Sequence, residues 1–220
     1  LARELRIPKA VKKALDIALS GTIQTVHLGK ITLNSGDELS LPSSRITRYF
    51  LLMAGIGFDA EATRSVNERI KKFAGKGAYL WSGLKALLRY DPGAINLSIK
   101  EESTDAAPAP IICGYSVVIG NASCYGGAFR VTPDARLTDP YLYVFVTHKR
   151  TGGAMMRYIL GVISGKHLAF SDVSYLRASE IVVEGEAPVQ IDGDYEGTAP
   201  AKVQIERDAL RLVMPPLSKI

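Results

Sequence analysis

The feature that most constrains the fold is the close succession of short apolar segments after residue 93. Alternating or continuous apolar residues bounded by turn residues predict β-strands. The predicted strands in this part of the chain are 95–99, 111–119, 141–146, 180–184, 189–191, 202–206 and 210–214. One predicted helix, 153–163, interrupts the series. Strands this closely spaced favour an antiparallel sandwich over alternating βαβ units, so we predict an α+β, mainly β fold: an antiparallel β-sandwich with a few accessory helices.

The first 21 residues predict a separate element. Apolar residues there recur at helical spacing and share one face, with Pro8 near the start of the helix and Gly21 after its end. Strands at 26–31 and 48–54 follow. We therefore divide the chain into an N-terminal helix, residues 1–21, and a β-sandwich domain, residues 22–220. Because the chain begins without Met almost directly before this helix, we expect a fragment whose helix lies at the junction to a preceding domain.

Composition limits the function classes. The 220 residues are 47% hydrophobic, which is enough for one sizeable core. We find neither a signal peptide nor an apolar stretch of about 18 residues, so we expect a soluble, cytoplasmic protein. The net charge of +5 is moderate. The absence of a zinc pattern, a recognition element or a basic motif interleaved with aromatic residues disfavours nucleic acid as a partner.

Basic residues are concentrated in two segments, 64–76 and 149–166. The ordinary explanation is a solvated helix face. Contact with lipid headgroups, which would make the protein peripheral to a membrane, is the alternative that this pattern leaves open.

Asp192 follows the predicted strand 189–191 and precedes Gly193 and Asp194. A carboxylate at the end of a strand could take a proton from a substrate hydroxyl. Asp-Gly is also among the strongest turn signals. Spacing alone favours the turn, and both interpretations stay open at this point.

A second candidate site is Gly55-Ile56-Gly57-Phe58-Asp59. The two glycines permit close backbone approach, and Asp59 is placed to cap a following helix. The alternative is a loop that faces a substrate at the end of a strand. A Gly-x-Gly pattern by itself does not decide between them.

Taken in order along the chain, these motifs resemble a known family. The opening Leu1 to Pro8, Gly55 to Ala60, Gly120-Asn121 with Gly126-Gly127, Pro133-x-Ala135 and Asp192-Gly193-Asp194 resemble the C-terminal part of the diacylglycerol kinase-like lipid kinases. That family also includes sphingosine and ceramide kinases. The resemblance covers essentially the whole chain.

The resemblance implies an ATP-dependent transfer of the γ-phosphate to a lipid hydroxyl such as that of diacylglycerol, within phospholipid biosynthesis. In the family, ATP and lipid meet between an N-terminal domain that carries a Gly-Gly-Asp-Gly-Thr motif and a C-terminal β-sandwich. This chain lacks that motif. We therefore expect the full-length protein to be a kinase that uses Mg²⁺ and ATP, and this chain alone to be inactive.

The resemblance also implies site residues. Asp192 would be catalytic, either as the general base or within the magnesium-water network. The residues implied in substrate binding are Gly55, Gly57, Asp59, Asn121, Gly126 and Gly127. Asp139 would be a ligand of a structural Mg²⁺ or Ca²⁺, a role about as well supported as simple loop capping.

Two other function classes stay open. One is half of an NAD kinase-like enzyme, since that related family shares the two-domain plan. The other is a non-enzymatic lipid- or protein-binding module. An exposed sandwich edge could also pair with a second copy of the chain to form a homodimer.

Overall fold

The computed structural model describes residues 1–34, 45–61, 63, 93–100, 111–125 and 129–215. These residues form two six-stranded antiparallel sheets and one short hairpin. The helices are α1 (Val11–Ser20), α2 (Gly152–Ser164) and a 3₁₀ turn (His167–Ala169). The predicted antiparallel β-sandwich with accessory helices is confirmed.

The first sheet has the strand order β2-β1-β14-β11-β4-β5. Its strands are β1 (Thr22–Asn34), β2 (Arg45–Phe50), β4 (Ile95–Lys100), β5 (Ile111–Gly114), β11 (Glu180–Glu184) and β14 (Ala201–Met214).

The second sheet has the strand order β10-β9-β6-β3-β12-β13. Its strands are β3 (Met53–Gly57), β6 (Ser116–Gly120), β9 (Leu142–Thr147), β10 (Val173–Ala178), β12 (Pro188–Ile191) and β13 (Asp194–Thr198). The hairpin consists of β7 (Cys124–Tyr125) and β8 (Phe129–Arg130).

The main core lies between the two sheets. In β4 the predicted alternation is observed, because Ile95, Leu97 and Ile99 are buried. Strands β3 and β6 are buried along their whole length, since both of their faces are covered. Alternate β6 residues, Val117 and Ile119, belong to this core, while Val118 on the other face belongs to a second cluster that packs with Val162 of α2.

Two predicted strands prove to be wrong in extent, because each divides between the sheets. The predicted strand 48–54 ends as β2 in the first sheet at Phe50 and resumes as β3 in the second sheet at Met53. The predicted strand 111–119 divides in the same way at Tyr115. A continuous apolar run reports that a segment is buried but not which sheet buries it.

The opposite error occurs near the C-terminus. The predicted strands 202–206 and 210–214 form the single strand β14, which pairs with β1 along nearly its whole length. Asp208, whose φ is +52°, lies at the register shift between the pairs Val26–Leu210 and Leu28–Glu206. The irregularity is therefore a local bulge within one strand and not a turn between two.

Helix α1 confirms the predicted amphipathic pattern but buries none of its residues. Val11 and Leu19 are 82% and 80% exposed. The division into a helix, 1–21, and a domain, 22–220, stays a prediction. In the part of the chain that the structure describes, none of the helices has the length and apolar character needed to cross a membrane.

Candidate functional site

A cavity of about 200 Å³ lies between α2 and the outer face of the second sheet. The helix is fixed at both ends: the Thr151 hydroxyl accepts a hydrogen bond from the Ala154 N–H, and Gly165 ends the helix with a left-handed φ of +70°. Most of the apolar residues that line the cavity come from β6, β8, β9 and α2, and they include Val118, Phe129, Phe145, Met155, Ile159 and Val162. The lining is therefore mainly apolar.

Asp59 is the only carboxylate among the described residues that line this cavity. Its Oδ2 accepts a hydrogen bond of 2.9 Å from Gln190 Nε2, and its Oδ1 accepts a short hydrogen bond from the Tyr125 hydroxyl. Burial raises the pKa of the Asp59 carboxyl, and these two hydrogen bonds offset only part of that effect. The pKa of Tyr125 is also raised, by burial and by the adjacent Asp59 charge.

The carboxylate contacts do not match the helix-cap interpretation of Asp59. A capping carboxylate accepts hydrogen bonds from the backbone N–H groups of the first helical turn. Here residues 58–61 are already helical, and both carboxylate oxygens are bound by side chains from β7 and β12. The predicted role of Asp59 in substrate binding stays a prediction.

The glycines before Asp59 shape this arrangement. A side chain at Gly55 would collide with the Asp59 carboxylate and would place its Cβ 2.7 Å from Gln190 Nε2. Gly57 has a φ of +85°, which residues with a side chain rarely adopt. Neither glycine is among the described lining residues, so their predicted role in substrate binding stays a prediction.

Gln190 is one of two residues of this site that sequence reasoning missed, and Tyr125 is the other. Gln190 is 1% exposed, and its amide orientation is fixed, because Nε2 donates to Asp59 while Oε1 accepts the Gly193 N–H at 2.8 Å. One side chain therefore connects Asp59 to the turn that holds Asp192. The available signal was a polar residue between Val189 and Ile191 in a strand that is otherwise apolar.

Asp192 lies in the turn between β12 and β13 with a φ of +49°. Its carboxylate accepts hydrogen bonds from the backbone N–H groups of Leu51, Leu52 and Met53 at 2.8–2.9 Å. A carboxylate has about four acceptor positions, and these hydrogen bonds occupy three of them. Asp192 thus fixes the crossing of the chain from the first sheet to the second. Its predicted catalytic role stays a prediction, with one acceptor position left for it.

Asn121 also fixes this crossing. It is 1% exposed, and its Nδ2 donates to the His27 and Leu51 carbonyl oxygens at 2.9 Å each. It is not among the described lining residues of the cavity. Gly126 and Gly127 lie outside the described residues. Substrate binding by these three residues stays a prediction.

Asp139 lies in the loop before β9. Burial raises the pKa of its carboxyl, while a backbone hydrogen bond from Arg136 and the charges of Arg136, His27 and Arg177 act in the opposite direction. Among the residues that the structure describes, no three His, Cys, Asp or Glu side chains cluster in a way that would hold a metal. The backbone hydrogen bond fits loop capping, and a hard cation would need several oxygen ligands in addition to the Asp139 carboxylate. The structural metal ion stays a prediction.

The protein is thus a two-sheet antiparallel sandwich domain, and the outer face of its second sheet carries an apolar cavity with a partly buried carboxylate. The sequence model of one family, described as the YegS C-terminal NAD kinase beta sandwich-like domain, matches residues 53–214. Since this match covers more than half of the chain, the protein belongs to that family.

Known proteins agree with this assignment. A diacylglycerol kinase of Mycobacterium tuberculosis is 27% identical over 216 residues, which cover 97% of this chain and 65% of the relative. A diacylglycerol kinase of Staphylococcus carnosus is 24% identical over 201 residues, which cover 90% of this chain and 59% of the relative. The chain thus spans less than two thirds of these relatives.

A solved structure shows the same fold. It is described as "Crystal structure of a putative diacylglycerol kinase from Bacillus anthracis str. Sterne", and it superimposes with a TM-score of 0.65 at 20% identity. The match covers 97% of this chain and 65% of the other. The resemblance to the C-terminal domain of the diacylglycerol kinase-like lipid kinases is confirmed for family and fold.

Proposed function

We propose that this chain is the substrate-side domain of an ATP-dependent lipid kinase, which transfers the γ-phosphate of ATP to a lipid hydroxyl such as that of diacylglycerol. The observation that carries the proposal is the apolar cavity whose lining contains one carboxylate, Asp59. An acyl chain and a hydroxyl group need this combination of an apolar wall and a carboxylate acceptor.

Asp59 is suited to accept the proton of the hydroxyl. Phosphoryl transfer asks the protein mainly to position the nucleophile and to accept its proton, while Mg²⁺ bound with ATP neutralises the phosphate charge. A carboxyl group whose pKa is raised by burial is a stronger base than an exposed one. Tyr125 and Gln190 hold both oxygens of Asp59 in place, so the base is oriented before the substrate arrives.

The lining of the cavity argues against a dinucleotide substrate. No Lys or Arg is among the described residues that line it. Phosphate groups in proteins are generally bound by such cations or by N–H groups at a helix N-terminus. An NAD kinase-like half is therefore the weaker proposal for this cavity.

The names of the relatives support the kinase proposal, and their lengths define its scope. Both curated relatives are called diacylglycerol kinase, and this chain spans 59–65% of their length. The activity is therefore proposed for the complete natural polypeptide that carries this chain. The chain alone lacks the Gly-Gly-Asp-Gly-Thr motif, and we expect it to transfer no phosphate from Mg-ATP.

The first test is the transfer of labelled phosphate from Mg-ATP by the complete polypeptide to detergent-dispersed diacylglycerol, monoacylglycerol, sphingosine, ceramide and, separately, to NAD. We expect a phosphorylated lipid alcohol. Transfer to NAD alone would replace the proposal by the dinucleotide alternative. If no acceptor is phosphorylated, the non-enzymatic binding module becomes the better account.

A matched pair of substitutions on α2 tests whether this cavity is the lipid site. Ile159 lines the cavity, whereas Ser164 is exposed on the same helix. Ile159→Trp should reduce transfer to long-chain acceptors more than to short-chain ones, because the larger side chain shortens the cavity. Ser164→Trp should leave the chain-length preference unchanged. Equal effects of the two substitutions would place the lipid elsewhere.

A structural Mg²⁺ or Ca²⁺ at Asp139 is a separate part of the proposal. Elemental analysis of the purified protein and of Asp139→Asn tests it directly. We expect one equivalent of metal that is lost in the variant. Metal-free wild-type protein would leave loop capping as the function of Asp139.

A further inference from the structure

The outer face of α2 carries large apolar side chains that no other described element covers. Leu160 and Ile163 are 57% and 56% exposed, and their spacing places them on the same side of the helix. Phe129 of β8, the strand that packs against α2, is 43% exposed. We call these three residues the docking face. A cluster of large exposed apolar side chains is a common sign of an interaction surface.

The docking face is continuous with the cavity. Ile163 and Phe129 line the cavity and are also exposed to solvent. The same helix supplies Met155, Tyr158 and Ile159 to the cavity wall, and Ile163 lies one turn after Ile159 at the edge of that wall. The cavity therefore borders the docking face, and an apolar molecule could pass from one to the other without crossing a polar barrier.

The charge around the docking face is positive. The segment 140–171 contains no Asp or Glu, whereas it contains four basic residues: Lys149, Arg150, Arg157 and Lys166. Asp172 forms a short ion pair with Arg157 and lies 3.7 Å from Lys149. The exposed Lys166 follows the C-terminal end of α2, and Lys149 and Arg150 precede its N-terminal end. Cations therefore flank the apolar residues at both ends of the helix.

We propose that the docking face contacts the surface of a bilayer that contains anionic lipids. Exposed apolar side chains between flanking cations are typical of helices that lie in the membrane interface. In this orientation the mouth of the cavity meets the lipid, and a lipid alcohol leaves the bilayer along Ile163 and Phe129. The inference rests on the proposed lipid substrate, and it adds the surface from which that substrate is taken.

Vesicle flotation of the 220-residue chain tests the inference without any need for catalysis. The vesicles consist of phosphatidylcholine alone or of phosphatidylcholine with phosphatidylglycerol. We expect flotation with the anionic vesicles and little with the neutral ones. Leu160→Ser combined with Ile163→Ser should remove most of the binding, and each of Lys149→Gln and Lys166→Gln should weaken partitioning by about fivefold.

Helix α1 provides matched controls, because it too exposes apolar and basic side chains. Val11→Ser combined with Leu19→Ser, and Lys12→Gln combined with Lys13→Gln, should leave flotation unchanged. Loss of flotation in the α1 variants but not in the α2 variants would overturn the inference, and so would flotation that does not depend on phosphatidylglycerol.

The membrane-contact inference and the kinase proposal can be refuted separately. Phosphorylation of detergent-dispersed lipid without flotation would refute the docking face and leave the kinase proposal intact. Flotation that follows the α2 variants, with no lipid phosphorylated by the complete polypeptide, would refute the kinase proposal alone. Circular dichroism of each variant confirms that the loss of flotation is not a loss of folding.

Discussion

Asp59 and Asp192 lie on adjacent parts of the second sheet and are connected by Gln190, yet their surroundings differ. The Asp59 carboxylate lines an apolar cavity and is bound by two side chains, whereas the Asp192 carboxylate lies at an exposed turn and is bound by three backbone N–H groups. Burial raises the pKa of Asp59.

The hydrogen-bond partners of each carboxylate indicate whether it stabilises the backbone or is placed for a chemical role. Backbone N–H groups hold Asp192 to the chain crossing at Leu51 and Leu52, so its removal should alter folding first. Asp59 has side-chain partners and lines a cavity, so under the proposed function its removal should alter chemistry first.

Asp59→Asn in the complete polypeptide should lower kcat/KM for the lipid acceptor by about 10²–10⁴-fold, because the amide cannot accept the hydroxyl proton. Phosphate transfer to dispersed diacylglycerol measures it. Asp208→Asn, an exposed substitution at the β14 bulge, is the matched control and should retain activity. Full activity of Asp59→Asn would remove Asp59 from the chemistry.

Asp192→Ala should lower the free energy of unfolding by about 2 kcal/mol, because three backbone donors lose their acceptor. Asp192→Asn should cost less, since it retains one acceptor oxygen and suits the positive φ. Urea unfolding of the 220-residue chain measures both. Should Asp192→Asn abolish phosphate transfer while stability stays unchanged, the predicted catalytic role would be supported and the comparison would fail.

Gln190→Met should lower kcat by about tenfold with little change in KM, because Asp59 loses an orienting hydrogen bond, worth on the order of 1 kcal/mol. Gln190 is a positioning residue, because it acts through Asp59. The pH profile of kcat/KM is the measurement that distinguishes this role from a purely structural one. The hydrogen bond from Gln190 lowers the Asp59 pKa, and its loss should move the acid limb of kcat/KM to higher pH. An unmoved acid limb would show that Gln190 only fills space.

The smallest effect is the pH dependence of stability. The Asp59 pKa in the folded state lies above its ordinary value of 3.8, so the folded state binds this proton more tightly than the unfolded state. The contribution of Asp59 to the free energy of unfolding is fully present below pH 3.8 and is lost as the pH rises through the folded-state pKa. Asp59→Asn should therefore gain stability relative to wild type across that window and keep a constant difference above it. Urea unfolding of both proteins at several pH values measures this difference in the free energy of unfolding. A difference that did not change with pH would contradict the burial of Asp59.

Local sequence patterns predicted much of the fold. The alternation in β4, the limits of β11 and the position of α2 follow from periodicity, because each depends on residues close in the chain. The divided strands at Leu51 and Tyr115 could not be predicted in this way. Their breaks depend on which sheet accepts each half, and the break at Leu51 depends on Asp192, which is distant in sequence.

The candidate site shows the same limit. Its motifs identified Asp59 and Asp192 as candidates but left two interpretations of each open. Gln190 carried only the weak signal of a polar residue in an apolar strand, and Tyr125 carried no chemical motif. Their contacts with Asp59 arise when β3, β7 and β12 come together.

The mainly antiparallel β-sandwich and the resemblance to the C-terminal part of a lipid kinase family could both be predicted from the amino-acid sequence, because strand periodicity and motif order are properties of the linear chain. The sequence could not show which carboxylate lines a cavity and which fixes the backbone; this became clear from the folded structure. That difference is set by contacts between residues such as Asp59 and Gln190, whose proximity arises from the pairing of β3 with β12.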